Sequence, residues 1–286
     1  MPARVRRAGA GPAMTASTRL APGGEAELLD LGGLRRHLPV SLERLYENLL
    51  DWQRLPHVHA GDVQAVRCRS WGAWGWQADI ADRHGRWALV ALELDRGRRR
   101  WSARWRSGPR AGWRMDGEAE PAPAGAPGLT VTVRCLLPSR SGRGADRIGR
   151  VWAAWLTGFS ALDEAMMVDR QRQLDRRIDR ARDAERHLDL GPVADLRLPC
   201  TVTLAGREFV VARVADALCA FPARCPHQLG PLQAGALADG QVVCPWHGDR
   251  FDVATGENLS GRPCVLSHLP EVRVDADGRV RVSATH

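Results

Sequence analysis

Alternating apolar and polar positions dominate the first half of the chain, between Gly61 and Pro138. In the clearest example, Trp101, Ala103 and Trp105 alternate with arginine and serine, so the two kinds of residue point to opposite faces of a strand. Six segments follow this period of two: Val63 to Trp71, Ala73 to Ile80, Arg86 to Leu94, Arg99 to Arg106, Trp113 to Glu118 and Leu129 to Leu137. The pattern predicts an antiparallel sheet with one face covered and the other in water.

Helical spacing appears on both sides of this sheet. A short strand over Glu27 to Arg36 leads to a helix that has Ser41 as its N-cap and ends before Pro56. After the sheet, Arg147 to Leu188 predicts one long helix or two abutting helices, ended by Gly191 and Pro192. One apolar face runs along the first part of this segment and is made by Ile148, Trp152, Trp155, Phe159, Leu162 and Met166. The later part is charged and predicts a solvated helix.

Short strands return after Leu196 and predict a small all-β domain. They are Thr201 to Leu204, Glu208 to Ala212, Leu218 to Phe221, Val242 to Val243, Val265 to Val274 and Arg279 to Val282. We therefore expect an α+β chain with a disordered tail over residues 1–24, a larger domain over 25–188 and the all-β domain over 189–286. A helix, an antiparallel sheet and a long C-terminal helix make the larger domain similar to the helix-grip, START-like superfamily.

Composition narrows the class of protein. The 286 residues are 44% hydrophobic, which supports buried cores, and no apolar run is long enough for a membrane span. All of the positive side chains behind the net charge of +8 are arginines, because the sequence has no lysine. Since no nucleic-acid-binding motif accompanies this charge, we expect a docking surface for an acidic redox partner rather than a nucleic-acid site. Seven cysteines without a disulfide pattern indicate a reducing compartment, so we expect a cytoplasmic protein.

Four residues in the all-β region have metal-ligand spacing. Cys225 and His227 form C-x-H, and sixteen residues later Cys244 and His247 form C-x-x-H. A zinc site with two Cys and two His is the alternative, but zinc fingers group a Cys pair before a His pair. Here each half supplies one sulfur and one nitrogen, so two matching loops are expected around one centre.

These loops resemble the Rieske [2Fe-2S] family, in which both Cys bind one iron and both His bind the other. Cys225 to Leu232 is similar to the first cluster loop, and Cys244 to Asp252 to the second. Respiratory members carry an extra Cys in each loop and a Ser, whereas this chain has Trp246 and Asp249 at two of those places. The resemblance therefore implies the ferredoxin and oxygenase branch, with a reduction potential of roughly −150 mV.

Oxygenases of that branch pair the Rieske domain with a START-like domain that holds one Fe(II) on two His and a carboxylate. The segment from Glu47 to His59 resembles their E-N-x-x-D-x-x-H-x-x-x-x-H motif, and its Asp51 matches the carboxylate that bridges the two centres. His59 occupies the second ligand position, but the first is Arg54, which cannot ligate iron. His57 is the substitute we consider, since residues i and i+2 of an extended segment point the same way.

The carboxylate ligand has two candidates. The register of the family motif favours Glu164, whereas the helical wheel turns Asp163 toward the apolar face and Glu164 away from it. We prefer Asp163, because an iron ligand must face the cavity. The alternative is that both histidines are ordinary loop residues and Asp163 is a surface acid.

Ten of the eleven tryptophans lie between Trp52 and Trp155, where they either fill a core or line a large cavity.

The leading hypothesis is an oxidoreductase, in which a reductase or ferredoxin reduces the cluster and the cluster supports O₂ chemistry on an apolar or aromatic substrate. One alternative is an electron-transfer protein whose larger domain only binds an apolar ligand or partner, and another is a redox sensor. An oligomer is compatible with each, and the Rieske domain here comes last, whereas in the oxygenases it usually comes first.

Overall fold

Seven antiparallel strands and one long helix make up the first half of the structure, a computed structural model that describes residues 28–138, 145–176 and 185–285. The strands are β1 (Leu28–Leu38), β2 (Val63–Gly72), β3 (Gly75–Asp82), β4 (Trp87–Asp95), β5 (Arg100–Trp105), β6 (Arg114–Pro121) and β7 (Leu129–Pro138). The helices are α1 (Leu42–Leu50), α2 (Leu55–Val58) and α3 (Ala145–Asp175). The predicted tail over residues 1–24 lies outside the described residues.

The seven strands form one sheet in the order β1-β7-β6-β5-β4-β3-β2. Trp101 and Ala103 of β5 are buried and Arg100 is exposed, as the alternating pattern predicts. α3 packs against β1, and α1 packs against α3. Leu45 of α1, Trp76 of β3 and Met167 of α3 meet in one apolar core. The large antiparallel sheet predicted from the sequence is therefore confirmed.

The segment after the first helix differs from the prediction. Ser41 caps α1 as expected, and its Oγ accepts a hydrogen bond from the Arg44 N–H over 3.3 Å. However, α1 ends at Leu50 rather than just before Pro56. Pro56 lies in the first turn of α2, where its missing N–H costs nothing. The chain from 51 to 59 is thus a series of short helical turns.

The predicted end of the long helix is wrong. α3 ends at Asp175, and residues from His187 to Pro192 form a strand, β8. Leu188 and Leu190 alternate with polar residues and pack into an apolar cluster, which is the burial that a strand provides. The charged part predicted as solvated helix falls mostly on residues 177–184, outside the described residues.

Three small antiparallel sheets make up the C-terminal part. Besides β8, the strands are β9 (Cys200–Leu204), β10 (Arg207–Val214), β11 (Ala217–Pro222), β12 (Leu237–Ala238), β13 (Gln241–Val243), β14 (Arg250–Asp252), β15 (Glu271–Val274) and β16 (Arg279–Ser283). The strand orders in the three sheets are β11-β10-β9, β12-β13-β14 and β15-β16-β8. Of the strand predicted from Val265 to Val274, only the last four residues are extended in a ladder. None of the helices described here has the length and apolar character needed to cross a membrane.

Candidate metal centre

Two loops of the same shape carry the four predicted ligands. The Cys225 N–H donates to the Gly230 carbonyl over 2.8 Å, and the Cys244 N–H donates to the Asp249 carbonyl over 2.8 Å. In each loop the fourth residue after the Cys has a positive φ, 65° at Leu229 and 68° at Gly248. The two loops are therefore equivalent turns, as predicted from the C-x-H and C-x-x-H motifs, each of which supplies one sulfur and one nitrogen.

The side chains of the four residues converge between these loops. Cys225 and Cys244 are 0% and 1% exposed, and the ring centroids of His227 and His247 lie 4.5 Å apart. The Nδ1 atoms of both histidines are buried without a hydrogen-bond partner in the part of the chain that the structure describes. Buried nitrogens are rarely left unpaired, so these atoms are free to act as metal ligands. The donor set fits a [2Fe-2S] cluster.

The two thiols form a coupled pair. The hydrogen bond from Cys225, together with those from the backbone at Trp246 and His247, outweighs burial and lowers the pKa of Cys244. The same pairing and burial raise the pKa of Cys225. The pairing thus favours the thiolate at Cys244, which is the form that binds metal. Space around this pair is tight, because a Cβ added at Gly230 would lie 2.7 Å from the Cys244 Sγ.

An arginine that the sequence interpretation missed supports the first histidine. Arg262 donates from Nε to the Asp249 carboxylate over 2.8 Å and from Nη2 to the Gln53 Oε1 over 2.7 Å. Its Nη1 lies 3.4 Å from the His227 Nε2. Arg262 lies 15 positions after His247, outside both loop motifs, and carries no spacing signal of its own.

Asp51 joins the larger domain to the second loop. Its Oδ2 lies 2.7 Å from the His247 Nε2, across 196 positions of sequence. Burial would raise the pKa of Asp51, but the hydrogen bond and the charges of His247 and Arg54 outweigh it and lower that pKa. Asp51 is therefore a buried carboxylate that fixes the orientation of the His247 ring, as second-sphere partners of metal-bound histidines do.

The family comparison covers both loops. A model of the Rieske [2Fe-2S] domain matches residues 187–270. Residues 187–270 are a Rieske [2Fe-2S] domain. Domains of this kind carry the cluster between two such loops, so the predicted [2Fe-2S] cofactor is confirmed at the level of the family.

Similar proteins match this chain mainly over part of their length. Human apoptosis-inducing factor 3 is 50% identical over 34 residues, which cover 12% of this chain and 6% of that protein. Methylxanthine N1-demethylase NdmA of Pseudomonas putida is 33% identical over 54 residues, 19% of this chain and 15% of the enzyme. A chain in the solved complex of reduced oxygenase and oxidized ferredoxin in carbazole 1,9a-dioxygenase is 30% identical, with a TM-score of 0.31, over 35% of this chain and 94% of that one.

A cavity of about 400 Å³ lies between the large sheet and α3, next to the Rieske domain. Five of the tryptophans predicted to line a cavity or fill a core contribute to its wall: Trp76, Trp101, Trp105, Trp152 and Trp155. Asp51, Arg54 and Asp163 line it as well, so one end is polar. The cavity volume is within the range of small-molecule sites in proteins.

The guanidinium of Arg54 fills the polar end of the cavity. Its Nη1 lies 2.8 Å from the Asp163 Oδ1 and 3.0 Å from the His59 Nε2, and its Nη2 donates to the Asn48 Oδ1 over 2.8 Å. His59 Nε2 and Asp163 Oδ1 are themselves 2.8 Å apart. The structure thus brings two predicted iron ligands into direct contact, and the guanidinium of Arg54 lies against both of them.

His57, the third predicted iron ligand, lies elsewhere. Its ring packs against Gly248 of the second cluster loop, where an added Cβ would be 2.4 Å from the His57 Cε1. The expectation that His57 and His59 point the same way is wrong, because α2 makes this segment helical rather than extended. Glu164 pairs with Arg36 over 2.9 Å instead of joining His59. These residues do not fit a mononuclear iron.

Proposed function

We propose that this chain is a Rieske electron-transfer protein whose START-like domain binds an apolar ligand and holds no mononuclear iron. Cys225, Cys244, His227 and His247 are the proposed cluster ligands, and the boundary between the domains lies close to residue 188. The cluster supplies one-electron transfer at low potential. A reductase or ferredoxin is the proposed electron donor.

The observation that carries this proposal is the position of Arg54. A ferrous ion needs three ligands on one face and open positions beside them. The guanidinium instead lies within hydrogen-bond distance of both His59 and Asp163, and it is 4% exposed. Because an arginine side chain keeps its proton, it repels a divalent cation at every accessible pH. Within residues 28–138, 145–176 and 185–285, the oxygenase hypothesis, which routes electrons to such an ion, has no iron site to support it.

Asp51 gives the cluster a defined neighbour in the cavity wall. The carboxylate contacts His247 and also lines the cavity. A ligand in the cavity would therefore be one side chain away from a cluster ligand. This supports a redox or sensing role for the bound ligand over a purely structural one.

Metal and sulfide analysis tests the proposal. Protein purified without oxygen is expected to contain two irons and two acid-labile sulfides per chain, and a ratio of three irons to two sulfides would refute the absence of a mononuclear iron. The variant Arg54→His places an imidazole beside His59 and Asp163, and we expect it to bind one additional Fe(II). Arg54→Gln is the matched control, since it removes the charge without adding a good iron ligand.

A further inference from the structure

An arginine at the edge of the cavity has no carboxylate partner among the residues that the structure describes. Arg110 lies between β5 and β6, and its guanidinium carbon is 5.6 Å from the ring centroid of Trp152 and 6.0 Å from that of Trp113. Within the described ranges, no hydrogen bond or ion pair joins this guanidinium to another side chain. Burial lowers the pKa of Arg110, and Asp82 only partly opposes this effect. The group is a half-buried cation, and its neighbours among the described side chains include the rings of Trp113 and Trp152.

The charges around Arg110 leave a positive balance. Arg83 and Arg86, in the turn between β3 and β4, line the cavity together with Asp62 and Asp82. Asp82 is already bound by Arg86 over 2.7 Å. Three guanidinium groups thus face two carboxylates. Arg83 and Arg86 are exposed, so this is the end of the cavity that solvent and ligands reach.

The Arg54 end has the reverse balance. Arg36 and Arg54 face Asp51, Asp163 and Glu164, which is two positive groups against three negative ones. An anionic group is therefore attracted to the Arg110 end and repelled from the Arg54 end. This difference sets the direction in which a charged ligand would enter.

Between the two ends the wall is aromatic. Trp152 stacks on Trp155 at 4.6 Å, Trp155 lies 4.8 Å from Phe159, and Phe159 is followed by Asp163 on the same face of α3. Eleven helical residues separate Trp152 from Asp163, a distance of about 16 Å along the axis. The cavity thus offers an elongated apolar path that starts at Arg110, a cation without an ion-pair partner in the described part of the chain.

We propose that the cavity binds an elongated apolar carboxylate, with its carboxylate on Arg110 and its apolar body along the row Trp152, Trp155 and Phe159. A planar guanidinium binds a carboxylate through two parallel hydrogen bonds, and this pairing suits a half-buried arginine that has no internal partner. The inference rests on the proposed ligand-binding role of this domain. It adds the chemical class of the ligand and its orientation.

Two probes that differ in charge alone test this assignment. Dodecanoate and its neutral amide, dodecanamide, are titrated into the full-length protein with its cluster intact, and quenching of tryptophan fluorescence is followed. We expect dodecanoate to bind at least tenfold more tightly than the amide, and Arg110→Gln to remove this preference while leaving amide binding unchanged. Equal affinity for the two probes, or a preference that survives Arg110→Gln, would overturn the proposal.

Two further variants serve as controls that distinguish loss of the carboxylate site from loss of folding. Arg110→Lys keeps the charge and is expected to retain most of the preference for dodecanoate. Arg98→Gln removes an exposed arginine outside the cavity and should change neither affinity. The iron and sulfide content of the same samples is measured in parallel. Failure of dodecanoate to bind to protein with two irons and two sulfides refutes the carboxylate site and leaves electron transfer intact, whereas a third iron refutes the proposed function itself.

Discussion

Replacing Arg54 by methionine removes the cation from the polar end of the cavity and is the sharpest perturbation of the larger domain. Asp163, whose side chain is 16% exposed, then loses its ion pair, and the Asn48 Oδ1 loses its donor. Breaking a buried ion pair by removing one partner costs about 3–5 kcal/mol. Because Asp163 keeps some contact with solvent, we expect the lower end of this range, about 3 kcal/mol.

The double variant Arg54→Met/Asp163→Leu separates loss of the pair from loss of packing. Replacing both charges by apolar side chains leaves no unpaired carboxylate, so most of the stability should return, to within about 1 kcal/mol of the wild type. Arg69→Met is the control, because its partner Asp79 lies at the surface and such pairs contribute about 0–1 kcal/mol.

Urea unfolding followed by tryptophan fluorescence measures these differences in the larger domain, because ten of the eleven tryptophans lie between Trp52 and Trp155. Visible absorbance of the cluster reports the Rieske domain in the same samples. If Arg54→Met loses less than about 1 kcal/mol, or if the double variant is no more stable than the single one, the guanidinium is not the buried partner of Asp163.

Three further predictions concern the cluster and the core. Asp51→Asn removes a negative charge 2.7 Å from His247, so the reduction potential of the cluster should rise by about 60 mV. A redox titration followed by electron paramagnetic resonance measures this change, and an unchanged potential contradicts the contact. Gly230→Ala puts a methyl group 2.7 Å from the Cys244 Sγ, and the purified protein should lose most of its acid-labile sulfide. Burial raises the pKa of the Cys135 thiol to about 11. Iodoacetamide at pH 8 should therefore leave Cys135 unlabelled in the native protein and label it after unfolding. Mass spectrometry detects the label.

The parts of the fold that the sequence predicted are those in which local pattern and tertiary burial agree. Trp101 and Ala103 alternate with polar residues and are buried in β5, and the Ser41 cap begins α1 at the expected residue. The C-x-H and C-x-x-H motifs specified paired loops because their ligand spacing requires a turn in each. At these positions the local preference of the sequence and the tertiary environment favour the same structure, so the local pattern was sufficient for the prediction.

Failures occurred where tertiary contacts override a weak local pattern. Leu188 follows a charged helix in sequence and looks like its continuation, yet pairing with Val282 of β16 makes it a strand residue. The helix that holds His57 has only four residues, Leu55–Val58, which is too short for a helical periodicity to be detected in the sequence. Arg262 was missed because its three partners come together only in the folded chain.

The order of the domains explains why one chain can make the contact between cluster and cavity. Asp51 follows α1, and His247 lies in the second cluster loop. The hydrogen bond between them therefore joins residues that are 196 positions apart in the sequence. Three residues after Asp51, Arg54 fills the polar end of the cavity, and three residues later His57 packs on Gly248. One short segment therefore contacts both the cluster loop and the cavity. Asp51 and Arg54 both line the cavity, and Asp51 also contacts His247, so the cavity and a cluster ligand share this segment as a common wall within a single subunit.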